Sequence, residues 1–118
     1  MLAKLARVVG AHRISTRPCD RHVRVIKDGI VLADSDRAIE LQETGNPTRY
    51  YLPRGDVRMD LLAASDTRSH CPFKGDAVYF SAPGAPDAFW TYPQPSETAA
   101  RPIAGMLAAR AGRVDVRV

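Results

Sequence analysis

Apolar residues alternate with polar ones over short stretches of the chain, and each stretch ends on Gly, Pro or Asp. Val23 and Val25 flank Arg24, and Asp28-Gly29 then leads into Ile30-Val31-Leu32. A two-residue Asp-Gly between such runs is a strong short-range hairpin signal, because both positions tolerate the positive φ that a tight hairpin needs. Asp34-Ser35-Asp36 makes the next turn. Ile39 and Leu41 alternate with Glu40, Gln42 and Glu43, the pattern of a strand with one wet face. Gly45-Asn46-Pro47 breaks the chain, and Arg49-Tyr50-Tyr51-Leu52 forms a short strand ended by Pro53.

Asp56 stands as an N-cap before Val57, Leu61 and Leu62, which predicts one short helix of one or two turns. Residues 63–69 read as a connection. Cys71-Pro72-Phe73-Lys74 is a turn by its proline, and a strand follows through Ala77, Val78, Tyr79 and Phe80. Beyond the loop around Pro83, Gly84 and Pro86 lies a second aromatic strand, Phe89-Trp90-Thr91-Tyr92, closed by Pro93 and Pro95. At the C-terminal end, residues 105–110 have helical propensity, but their neighbour Val114-Asp115-Val116-Arg117-Val118 alternates as a strand. The expectation there is strand, tight turn at Ala111-Gly112, strand.

Seven or so short strands with Gly/Pro turns describe an all-β domain with one short helix, a small sandwich or open barrel. The chain of 118 residues is one domain's length. Residues 1–20 read as a basic leader and residues 21–118 as the single β domain. Within the leader, Leu2, Leu5, Ala6 and Val9 fall at helical spacing before Gly10.

The net charge of +4 changes this picture only by its placement. Residues 1–27 hold seven basic side chains against Asp20 alone, whereas residues 28–118 hold ten basic and twelve acidic ones. A nucleic-acid binder is expected to carry its basic face on the folded body, so the balance speaks against nucleic acid. No apolar run is long enough to span a bilayer, and the N-terminus lacks a secretory core, so the expectation is a cytoplasmic protein without membrane contact. Two cysteines, Cys19 and Cys71, fall short of a four-ligand structural zinc site, and His12, His22 and His70 lack ligand spacing. The sequence therefore calls for no metal and no cofactor.

Chemistry-bearing residues concentrate in one stretch, from Ser69 to Phe80. A turn brings its first and fourth Cα atoms within about 7 Å, so Lys74 would sit beside Cys71 and make it more acidic. Cys71 is thus a candidate nucleophile with Lys74 as its activator, or else a small buried hydrophobe. Trp90 and Tyr92 share one strand face, as do Ala77 and Tyr79, which allows a ring-lined pocket or a plain aromatic core. Glu43, Asp56 and one of the adjacent tyrosines, Tyr51, complete the candidate ligand-binding set.

Several of these motifs together resemble a known family. They are Asp28-Gly29 through Ala33-Asp34-Ser35, Glu43-Thr44-Gly45 leading to Tyr50-Tyr51-Leu52-Pro53, and Asp56-Val57-Arg58. Cys71-Pro72-Phe73-Lys74-Gly75, Trp90-Thr91-Tyr92-Pro93 and Arg101-Pro102-Ile103-Ala104-Gly105 continue the likeness. From about Arg21 to Val118 the chain resembles domain-of-unknown-function family 427, bacterial and fungal, also labelled nucleotidyltransferase-like. The resemblance implies a β-tent, two antiparallel sheets meeting at an angle. It implies no substrate. Nucleotidyl transfer needs clustered metal-binding carboxylates and a phosphate cradle, and the sequence has neither a Gly-rich loop nor more than the Asp34/Asp36 turn.

Three functions follow as expectations. The first is a domain binding a small molecule of unidentified class in an aromatic pocket rimmed by the Cys-Pro-Phe-Lys-Gly turn. The second is a group-transfer or redox enzyme working through a Cys71 thiolate. The third is a protein-interaction module using the basic leader, with self-association left open. Whether the domain is catalytic is undecided at this level.

Overall fold

A computed structural model describes residues 12–118. The helical spacing noted at Leu2 to Gly10 lies outside the described residues.

Asp28 and Gly29 adopt φ of +50° and +78°, the left-handed pair that a tight hairpin demands. They join β2 (Val23–Lys27) to β3 (Ile30–Ser35), as expected. β1 (Ile14–Pro18) lies inside the stretch read as a leader and pairs antiparallel with β4 (Ile39–Glu43), which also pairs with β5 (Arg49–Tyr51). Residues 63–71, expected as mostly connection, form β6 (Ala63–Cys71). It pairs with β7 (Gly75–Ala82), then β8 (Ala85–Thr91) and β9 (Leu107–Ala109). β10 (Asp115–Arg117) closes the chain.

The class is all-β, and the ladders divide into three antiparallel sheets ordered β1-β4-β5, β10-β2-β3 and β6-β7-β8-β9. β9 and β10 do not form the hairpin expected at Ala111-Gly112. β9 pairs with β8 and β10 with β2, because Val114 turns inward and carries the chain from one sheet to another. The expected short helix is two single 3₁₀ turns, Arg54–Asp56 and Met59–Leu61. Asp56 ends the first of these and caps neither, since its carboxylate accepts from Ser35 Oγ at 2.7 Å and Arg37 Nη2 at 2.9 Å. No helix among the described residues is long and apolar enough to cross a membrane.

Strand alternation gives the four-stranded sheet two cores. On one face Phe80, Ala82, Phe89, Leu107 and Ala109 pack with Val23, Val25, Leu32 and Leu52. On the other, Ala77, Tyr79, Trp90, Tyr92 and Ala108 pack with Ile39, Leu41 and Tyr51. Reciprocal bonds between Leu52 and Leu107 (N–H to carbonyl, 2.8 and 2.9 Å) tie β5 to β9 and fix the second core against the sheet.

Candidate functional site

The Cys71–Gly75 turn is held by its last residue. Gly75 has φ +91°, and a Cβ there would lie 2.8 Å from the carbonyl oxygen of Gln94, so only glycine fits. The Phe73 carbonyl accepts from the Glu97 amide at 2.9 Å, which clamps the turn to the segment after β8. Lys74 is thereby directed inward. Its side chain is 11% exposed, and its ammonium donates to Glu43 Oε1 at 2.7 Å. It also lies 5.3 Å from the centre of the Tyr92 ring.

Glu43, at the end of β4, is equally enclosed, with 8% of its side chain exposed. Its second oxygen, Oε2, meets His12 Nε2 at 2.9 Å, and the His12 ring stacks on Phe73 at 3.8 Å between centroids. Burial acts to raise the Glu43 pKa, but the Lys74 ammonium and His12 together outweigh it and hold the carboxyl below its ordinary range.

Glu43, Lys74, Tyr79, Trp90 and Tyr92 line one cavity of about 280 Å³, together with Asn46, Arg49 and Arg110. The Trp90 indole Nε1 donates to the Tyr51 hydroxyl at 3.1 Å, and the two rings meet edge to face. Tyr51 is fully buried beneath Trp90 and sets its orientation without lining the cavity. Burial raises both phenols at this floor, Tyr51 to about 12 and Tyr92 further still, so both are neutral hydroxyls at physiological pH. Tyr79 OH is 2.8 Å from Ser69 Oγ. The guanidinium of Arg49 lies over the Trp90 ring, 5.6 Å from its centre.

Besides Tyr51, which lies beneath the cavity, two further sequence candidates do not line it. Asp56 lies in a separate depression with Val31, Ala33, Asp34, Gly55, Val57 and Arg58, where Arg37 holds its carboxyl below the ordinary range. Cys71 is half-buried and packs into the second core without lining the cavity, while the ammonium of Lys74 is engaged by Glu43.

Conversely, His12, Asn46, Arg49 and Arg110 are site residues that the sequence reading did not single out. Alternation carried a signal for two of them. Arg49 shares a strand face with Tyr51, and Arg110 continues the face of Ala108. Elsewhere, Cys19, Asp20 and Glu40 offer one donor atom each within 4.8 Å of one another. Glu40 is bound to Arg17 at 3.0 Å with Arg21 nearby, surroundings that repel a cation. An apolar groove of about 310 Å³ between β2, β5 and β9 is walled mainly by aliphatic side chains, with Thr48, Arg49 and Tyr50 as its polar members.

A family model described as a domain of unknown function, DUF427, matches residues 15–118. No curated protein matches the chain.

Proposed function

The chain belongs to the DUF427 family, and from that premise we propose that it is a β domain binding a small molecule in the cavity between the Cys71–Gly75 turn and β8. The observation that carries this reading is the buried Lys74–Glu43 pair set among three aromatic rings. Enclosing two charges costs several kcal/mol of hydration per ion, roughly what their attraction returns, so such a pair adds little to stability. Charged groups converging on ring walls in a concavity are, however, what ligand pockets present. The aliphatic groove near β2 has few such groups, which favours the aromatic cavity over it.

The domain would work in the reducing cytoplasm, where Cys19 and Cys71 persist as the free thiols they are in this fold. The test is a metabolite screen read by titration calorimetry, a readout that does not depend on Trp90, the sole tryptophan of the chain. Hits should lose affinity in both Trp90→Ala and Lys74→Ala variants. Hits that bind both variants as well as wild type would remove the cavity as their site.

A further inference from the structure

We propose that this cavity selects organic anions, molecules bearing a carboxylate or phosphate on a single flat ring. The inference rests on the cavity being a ligand site and adds the class of ligand.

Three cationic side chains and one carboxylate line the cavity: Arg49, Lys74, Arg110 and Glu43. Both oxygens of Glu43 are engaged, one by Lys74 and the other by His12, so the Lys74 charge is already met. The charge left facing the cavity is that of two guanidinium groups. Neither Arg49 nor Arg110 forms an ion pair among the described residues, and residues 1–11 contain no acidic side chain. Asp87 acts on Arg110 only through space, its own carboxylate being bonded to Thr67 Oγ1 at 2.6 Å.

Two like charges facing one small volume repel each other, and an oxyanion between them turns that repulsion into attraction. Arg49 is also pre-oriented, since its guanidinium rests over the Trp90 ring. A planar guanidinium held in place offers a fork of N–H donors matched to the paired oxygens of a carboxylate or phosphate. The Arg110 backbone is fixed too, its amide donating to Ala88 O at 2.7 Å. Tyr79, Trp90 and Tyr92 supply flat walls for a ring. A volume of about 280 Å³ lies just under the roughly 300–1,000 Å³ range of small-molecule sites, which suits one ring and excludes a dinucleotide.

The experiment titrates benzoate, phenyl phosphate, benzamide, benzylamine and inorganic phosphate into the full chain, following the Trp90 indole N–H resonance. Benzoate or phenyl phosphate, according to which oxyanion the site takes, should shift that resonance saturably. Benzamide and benzylamine should bind roughly tenfold or more weakly. Arg49→Gln and Arg110→Gln should each lower the anion's affinity roughly tenfold without altering that of benzamide, and added salt should weaken the anion alone.

Arg113→Gln serves as the control, because its guanidinium donates to the Pro86 carbonyl (2.6 Å) and does not line the cavity. Melting temperatures verify that each variant is folded. Equal binding of benzoate and benzamide, unmoved by the arginine variants, would overturn the anion selectivity and leave the cavity standing as a site. Inorganic phosphate binding as tightly as phenyl phosphate would overturn the ring. A Trp90 resonance unmoved by every probe would overturn both this inference and the reading beneath it.

Discussion

The two faces of the four-stranded sheet come from the same strands and differ in chemistry. Phe89 and Leu107 face a core of valine, leucine and alanine, in which Tyr50 stands at the margin with its hydroxyl bonded to Arg21. One residue along, Trp90 and Ala108 face a core that holds Tyr51, Tyr79 and Tyr92 and opens onto Lys74 and Glu43. The period of two in a strand makes this separation automatic. One face can be filled for packing alone while the other carries polar groups that each need a partner. Apolar packing and polar chemistry are therefore assigned to alternate residues of β7, β8 and β9.

The sharpest way to break this comparison is to truncate neighbours on opposite faces. Phe89 is fully buried, and Phe89→Ala should cost about 3–5 kcal/mol in a denaturant titration. Trp90→Ala, on the half-buried face, should cost less stability and more ligand affinity. Equal stability losses would mean that the cavity face is core in disguise.

A smaller effect is expected from the ion pair. Glu43→Gln leaves the enclosed Lys74 ammonium without its counter-charge and should cost about 2–3 kcal/mol. Adding Lys74→Met should recover part of it, since the pair's attraction mostly offsets its own desolvation. The pH dependence sharpens this. The Glu43 pKa is depressed in the fold, so its stabilisation is present above the ordinary glutamate value of about 4.3 and is lost as pH falls through the folded value. Relative to wild type, Glu43→Gln should therefore have a flatter stability profile on the acid side. A profile parallel to wild type would show that the carboxyl is not held by Lys74 and His12.

Gly75→Ala tests whether the turn aims Lys74. The new Cβ would be strained by φ +91° and driven into the Gln94 carbonyl, at a cost of about 1–2 kcal/mol. The Phe73 and Lys74 contacts should loosen with it, which ring-current shifts on His12 would report. An unchanged His12 spectrum would separate the turn from the site.

What the sequence disclosed follows the range of the forces involved. The Asp28-Gly29 hairpin was legible because its cause lies in two residues. β6 was not, because Ala63 to His70 is almost wholly exposed and shows no apolar alternation. Its strand character comes from pairing with β7. The same holds at the C-terminus, where both strands were expected but their partners, β8 and β2, are remote in sequence. In the cavity, Lys74, Tyr79, Trp90 and Tyr92 stood out by type and clustering. Arg49 and Arg110 did not, because one arginine among fourteen carries little information until a register places it. His12 was hidden by its position in a stretch read as a leader, although its partner Glu43 was singled out.

The smallest effect bears on the packed face itself. Thr91, between Trp90 and Tyr92 and on the same face as Phe89, is 1% exposed, and its hydroxyl has no hydrogen-bond partner among the described residues. An unmet buried hydroxyl costs about 1–3 kcal/mol, and valine has nearly the same shape without the polar atom. Thr91→Val should therefore raise stability by about 1 kcal/mol, read as a higher denaturation midpoint at unchanged slope. It should leave ligand affinity untouched, because the side chain points away from the cavity. A loss of stability would mean that the hydroxyl is satisfied, and that polar chemistry extends to the face assigned here to packing alone.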